Sequence, residues 1–174
     1  MKTTQELQPV IQNTIKKQLE MIKILIALDY APSAQKVAEK GYAIGKALHA
    51  KITLLHVIED TNYYASVYDP IMGFGGFNDA INLNADISLS IEKYAKQFLT
   101  KTTMHLEDNE IHTSVLHGDI TDNILGKVLK EHFDIIVLGT NSKGGIEEFF
   151  LGSTAHKIIK HSPVPVYVIP TKSS

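Results

Sequence analysis

Residues Ile135 to Gly139 read Ile-Ile-Val-Leu-Gly, apolar or small at every position, and the run stops abruptly at Thr140. A strand with one face in water alternates apolar with polar residues. A strand without alternation is buried on both faces, as in a parallel sheet covered by helices. Ile22 to Leu28 repeats the pattern apart from Lys23 and stops at Asp29. Ile52 to Ile58 is the next strand. Between these two, Ala34, Val37, Ala38, Gly41, Ile44, Gly45 and Leu48 follow helical spacing, so a helix crosses one sheet face in the usual right-handed sense. Gly41 and Gly45 permit that helix to approach the sheet closely.

The remainder extends the alternation. Ile87, Ile91, Tyr94, Ala95, Phe98 and Leu99 mark a second helix. Ile111 to Leu116 mixes apolar and polar residues, which suits a less buried strand at the sheet edge. His117-Gly118-Asp119 turns into a helix carrying Ile120, Ile124, Leu125, Val128 and Leu129. After Ile135–Gly139, Gly152-Ser153-Thr154 opens a helix with Ala155, Ile158 and Ile159, which Pro163 helps to terminate. Val164 to Ile169 is the fifth strand, with Pro165 best tolerated near its start or at an edge. Five strands alternating with four helices predict a doubly wound α/β domain, a parallel sheet with helices on both faces, spanning residues 21–174. Residues 1–20 form an extension in which Leu7, Ile11, Ile15 and Leu19 give a short amphipathic helix. Residues 59–78, with Tyr63, Tyr64, Tyr68, Phe74 and Phe77 among Pro70, Gly73, Gly75 and Gly76, form a long loop. Its readings are a lid, a protein contact or an aromatic loop folded onto its own core.

Composition narrows the function. A chain of 174 residues suits one domain, and a formal net charge of −2 offers no broad attraction for nucleic acid. The absence of cysteine excludes thiol catalysis and a disulfide scaffold. No apolar run reaches the roughly 18 residues of a spanning helix, and the first twenty residues lack a secretory core. The expectation is a soluble cytoplasmic protein with no membrane span.

In sheets of this kind ligands bind outside the carboxyl ends of the strands. Asp29 follows one such end, and the loop containing Gly139, Gly144, Gly145 and Gly152 follows another. Small residues allow close approach, and a helix start supplies amides without intrahelical partners, so a phosphate fits at Gly152-Ser153-Thr154. Asp29 is read as a ligand contact, narrowly ahead of capping the next helix or accepting loop amides. Lys and Ser/Thr are missing where a Walker-type loop needs them, and no His-Glu-x-x-His cluster occurs. His56 is expected to pack in or beside its strand, and His117 has no evident nucleophile partner. Ser153 and His156 are three apart on a helix, where the serine serves better as an N-terminal donor or cap. Nothing pairs Glu147 and Glu148 for acid–base work, so neither catalytic residues nor metal ligands are assigned.

Asp29 after the first strand, Leu54-Leu55-His56-Val57 in the second, and the segment from Gly139 to Thr154 together resemble the universal stress protein family, over roughly residues 22–170. The family pattern is glycine, two residues, glycine, nine residues, then glycine followed by serine or threonine. Here it reads Gly139, Thr140-Asn141, Ser142, nine residues from Lys143 to Leu151, then Gly152-Ser153. The resemblance implies strand order 3-2-1-4-5 and a homodimer through Val164–Ile169. It further implies binding of ATP, or of ADP or AMP, with or without magnesium. Ala27, Leu28 and Asp29 would hold the adenosine moiety, with Val57 near the base. Leu138, Gly139, Asn141, Ser142, Gly152, Ser153 and Thr154 would hold phosphates and ribose. Ser142 stands where the family has glycine. It adds a hydroxyl donor and is harmless at negative φ, but costs on the order of 1 kcal/mol at positive φ. The functional expectation is a nucleotide-binding sensor or regulator of the stress response, hydrolysing ATP slowly at most. The alternatives are a nucleotide-independent module recognising an unknown protein partner through its N-terminal helix and 59–78 loop, or a slow ATPase.

Overall fold

The computed structural model describes residues 21–59, 87–140 and 151–171. The expectations for the N-terminal helix, nearly all of the 59–78 loop, and Asn141 and Ser142 lie outside these residues. The elements run β1 (Lys23–Ala27), α1 (Ala34–Ala47), β2 (Lys51–Ile58), α2 (Ile87–His105), β3 (His112–His117), α3 (Ile120–Glu131), β4 (Ile135–Gly139), α4 (Ser153–His161) and β5 (Val166–Ile169). All sheet pairings are parallel, and the order is β3-β2-β1-β4-β5.

Alternation along each strand divides the core into two layers. Ile24, Ile26 and Leu28 face one way with Ile52 and Leu54, where Val37 and Ala38 of α1 and Leu99 of α2 cover them. Leu25, Leu55, Val57, Ile136 and Leu138 face the other way, against Ile124 and Val128 of α3 and Ala155 and Ile158 of α4. Ile24, Leu25 and Ile26 are wholly buried, which explains why β1 shows no alternation in sequence. Burial of side chains this size contributes about 1.5–3 kcal/mol each. The edge position expected of β3 is observed, with His112, Thr113 and His117 exposed.

Gly41 and Gly45 seat α1 as their spacing predicts. A Cβ on Gly41 would lie 2.8 Å from Ile26 Cδ1, and one on Gly45 would lie 2.5 Å from Ile52 Cδ1. Helix α1 therefore rests on the β1–β2 surface at a distance that any larger residue would meet only by displacing Ile26 and Ile52.

The structured elements differ from the predicted spans at their ends. β1 is shorter than Ile22–Leu28 because Leu28 keeps one ladder bond, its N–H to the Leu55 carbonyl at 2.9 Å, while its own carbonyl accepts from a side chain. β5 begins at Val166 and not at Val164. Pro165 has no N–H to give to a ladder, and Ser162 Oγ closes a local turn by donating to the Val164 carbonyl at 2.7 Å. α2 continues past Leu99 to His105, with the Thr100, Thr102 and Thr103 hydroxyls bonding back to carbonyls one turn earlier.

Candidate functional site

The order β3-β2-β1-β4-β5 sends the chain from β1 outward to β2 and β3, then back across to β4 on the other side of β1. The carboxyl ends of β1 and β4 thus diverge at a topological switch point, where open α/β sheets place their ligand crevice.

On the β1 side, Ala27 pairs with Leu55 and is half-buried, and Leu28 is 5% exposed with its side chain in the core. Leu28 therefore offers main chain only. Asp29 is exposed, and its Oδ1 accepts the Ala31 N–H at 3.0 Å. Of the three roles open to it, the loop-amide role is the one observed. The second carboxylate oxygen is not used in that bond. Asp29 does not cap α1, whose N-cap is Ser33 without a side-chain bond. Val57 is buried toward α3 and α4, as is Leu138 on β4.

On the β4 side, Gly139 has no room for a side chain. A Cβ there would lie 2.8 Å from Thr171 Cγ2 and 3.0 Å from Val37 Cγ2. This glycine is required by packing, independently of any ligand. Thr140 donates its N–H to Ile169 at 3.0 Å and accepts the Gly152 N–H at 2.7 Å, which ties the start of α4 to the exit of β4. The hydroxyls of Thr140 and Thr171 lie 3.0 Å apart, and the Thr171 N–H donates to Thr140 Oγ1 at 3.1 Å.

Gly152 is the N-cap of α4 and makes no side-chain cap bond. This corrects the cap role offered for Ser153, which is the first helical residue and is exposed; Thr154 follows, half-buried. The amides of a first helical turn have no intrahelical acceptor, and the positive end of the helix dipole lies with them. Among the described residues no side chain caps them either. Lys160 and His161 occupy the opposite, negative end.

The sheet therefore brings Ala27, Leu28, Asp29, Val57, Leu138, Gly139, Gly152, Ser153 and Thr154 to one edge. Asn141 and Ser142 lie outside the described residues. His117 ends β3, with Nε2 3.5 Å from Glu92, and His156 is exposed on α4. Among the described residues no group of three or more His, Asp or Glu could hold a metal. None of their helices is long and apolar enough to cross a membrane.

Two contacts could not be read from sequence. The Thr140–Thr171 link joins residues 31 apart, and His56 Nδ1 lies 2.9 Å from the Leu28 carbonyl across 28 residues. The only hint of the second was a histidine within an otherwise apolar strand. His56 is 2% exposed, so the expectation that it packs within its strand is met. Burial holds its imidazole below the usual histidine range, against the opposing effects of the Leu28 bond and the Asp29 charge.

Comparison with known proteins matches residues 21–170 to the model of the universal stress protein family. Universal stress protein MJ0577 of Methanocaldococcus jannaschii is 27% identical over 157 residues, covering 87% of this chain and 96% of that one. Universal stress protein A homolog 1 of Coxiella burnetii is 29% identical over 138 residues, covering 78% and 87%. The solved structure of MJ0577 superimposes with a TM-score of 0.64 at 23% identity, covering 90% of this chain and all of that one. A universal stress protein in complex with cAMP gives 0.59 at 13% identity, covering 87% and 98%. One from Archaeoglobus fulgidus in complex with dAMP gives 0.55 at 16%, covering 85% and 97%.

Proposed function

The chain belongs to the universal stress protein family, and from that premise we propose that its sheet-edge crevice binds ATP or a related adenine nucleotide, making the protein a sensor or regulator in the stress response. The observation that carries this reading is the 2.7 Å bond from the Gly152 N–H to the Thr140 carbonyl, which sets the uncapped start of α4 at the exit of β4. Exposed amides at a helix start favour a negatively charged group. Asp29, at the end of the neighbouring strand, retains a carboxylate oxygen for a ribose or base donor. Two proteins of the same fold were solved with cAMP and dAMP, which keeps adenine nucleotides first among ligands. In this reading Ala27, Leu28, Asp29 and Val57 form the adenosine side, and Leu138, Gly139, Asn141, Ser142, Gly152, Ser153 and Thr154 form the phosphate side. Magnesium accompanies the phosphates where they are present. The protein is cytoplasmic and pairs with a second copy through β5, an edge strand that leaves Tyr167 46% exposed.

Thermal shift tests the reading directly. A nucleotide at a hundred times its dissociation constant stabilises the fold by about 2.7 kcal/mol, which raises the melting temperature of a chain this long by several degrees. Gly152 has φ −56° and ψ 152°, a conformation open to valine. Gly152→Val should therefore keep the fold while its side chain obstructs the helix start and abolishes the shift. If ATP, ADP and AMP leave the wild-type melting temperature unchanged, with or without magnesium, the reading fails and a nucleotide-independent interaction module takes its place.

A further inference from the structure

His56 lies beside the crevice, yet the adenine-nucleotide reading gives it no task. Its position on β2 turns it toward α2, where its ring lies 4.1 Å from that of Tyr30 and 6.0 Å from that of Phe98, centroid to centroid. Its Nδ1 is 2.9 Å from the Leu28 carbonyl oxygen. A carbonyl can only accept, so Nδ1 carries the hydrogen and Nε2 is left with a lone pair. Nε2 is buried and has no hydrogen-bond partner among the described residues. A leucine in this slot would fill similar space without stranding an acceptor, so packing alone is a poor account of a histidine here.

The bond acts on one peptide unit. The Leu28 carbonyl and the Asp29 N–H belong to the same planar group, and no peptide among the described residues is cis. In a trans peptide the two point in opposite directions. Leu28 is the residue at which β1 leaves its ladder with β2, so its carbonyl is no longer fixed by the regular strand pattern. Because Nδ1 holds that carbonyl, the Asp29 N–H of the same peptide is fixed in the opposite direction, away from the His56 ring. The Asp29 side chain completes the arrangement through its bond to the Ala31 N–H at 3.0 Å.

We propose that His56 is a positioning residue for the bound nucleotide: its Nδ1–H fixes the Leu28–Asp29 peptide so that the Asp29 N–H and carboxylate are presented to the ligand. This rests on the adenine-nucleotide reading. The ring touches no ligand atom and takes no part in any reaction. It holds the main chain whose direction matters.

Three variants of the full chain separate the bond from the volume. His56→Asn places an amide nitrogen as many bonds from Cα as Nδ1, so it can donate to Leu28. His56→Gln reaches only to the position of Nε2, and His56→Leu keeps bulk without a donor. With ATP titrated by calorimetry, His56→Asn should bind within about threefold of wild type. His56→Gln and His56→Leu should each weaken binding by roughly tenfold, the usual scale for one lost hydrogen bond. Nitrogen-15 spectra of the wild-type ring should show hydrogen on Nδ1. Wild-type affinity in His56→Leu overturns the inference, as does a His56→Asn as weak as His56→Leu, or a ring protonated on Nε2. If His56→Leu does not fold, the contrast between His56→Asn and His56→Gln carries the same decision. A wild-type chain that binds no nucleotide removes the underlying reading as well, a failure visible without any variant.

Discussion

Both strand ends that border the crevice carry hydrogen bonds, but only one is also closed by filled space. At the end of β1 the fastenings are polar: Leu28 to His56 at 2.9 Å, and Asp29 to Ala31 at 3.0 Å. At the end of β4 the deciding contact is steric, because Thr171 and Val37 close in on Gly139 where a side chain would begin. Hydrogen bonds can be restored by another donor of suitable reach, whereas filled space responds to any added atom. The β1 end should therefore tolerate chosen substitutions and respond to pH. The β4 end should do neither.

Gly139→Val tests the steric half with the largest expected effect. Its first added carbon falls within 3.0 Å of two side-chain methyl groups, one of them on the buried Val37. Overpacking of this kind costs about 1–3 kcal/mol, and each kcal/mol lowers the melting temperature by roughly 2–4 °C at this chain length. A variant that melts with wild type but no longer binds nucleotide would show that Gly139 serves the ligand and not the packing. The contrast between the two ends would then disappear.

Asp29 tests the polar half more gently. Asp29→Ala removes the acceptor for the Ala31 N–H and should cost about 1 kcal/mol of stability. Asp29→Asn keeps an oxygen in that place and should melt close to wild type. Both variants lose the charge, so both should bind nucleotide more weakly. Equal melting of all three proteins would show that the turn bond contributes nothing. Undiminished binding in Asp29→Asn would remove the carboxylate from the site.

The same division explains what could be read from the chain beforehand. The unbroken runs of β1 and β4 announced burial on both faces because Ile24, Leu25, Ile26, Ile136 and Val137 have no solvent side. β3 announced its edge by the polar residues His112, Thr113 and Ser114, and every residue of the strand is exposed or half-buried. Gly41 and Gly45, one helical turn apart, announced a close approach. Local pattern carries these features, and local pattern is visible in one sequence. The reason for Gly139 was hidden because it resides in Thr171 and Val37, which come together only through the β4–β5 pairing and the crossing of α1. Asp29 could be placed at a strand end, but only the family resemblance gave it a definite task, since a carboxylate there is suited to a turn and to a ligand alike. The function of His56 was beyond reach because its partner is a main-chain oxygen, which leaves no mark on residue type.

The smallest effect is the one that only the β1 end should show. Burial lowers the His56 pKa in the folded chain, while the unfolded chain titrates near the ordinary value of about 6.5. Below that value the unfolded state takes up a proton that the folded state resists. Stability from this source is therefore complete above about pH 6.5 and is lost as the pH falls toward the folded pKa. Were the folded ring to stay wholly neutral, the loss at pH 6 would reach at most about 0.8 kcal/mol. Glu39, held low chiefly by its bond from His105, Glu92, held low by Lys96, and Asp108, held low by the Glu110 N–H, also favour the folded state. Their contributions fade only in the carboxylate range, at lower pH, so the two windows separate. Urea unfolding of wild type and His56→Asn between pH 7.5 and pH 5 should diverge, with wild type losing stability below pH 6.5 while the asparagine variant does not. Parallel curves would mean that the imidazole takes up its proton as readily in the folded chain as in the unfolded one, which a ring closed off between Tyr30 and Phe98 should not allow.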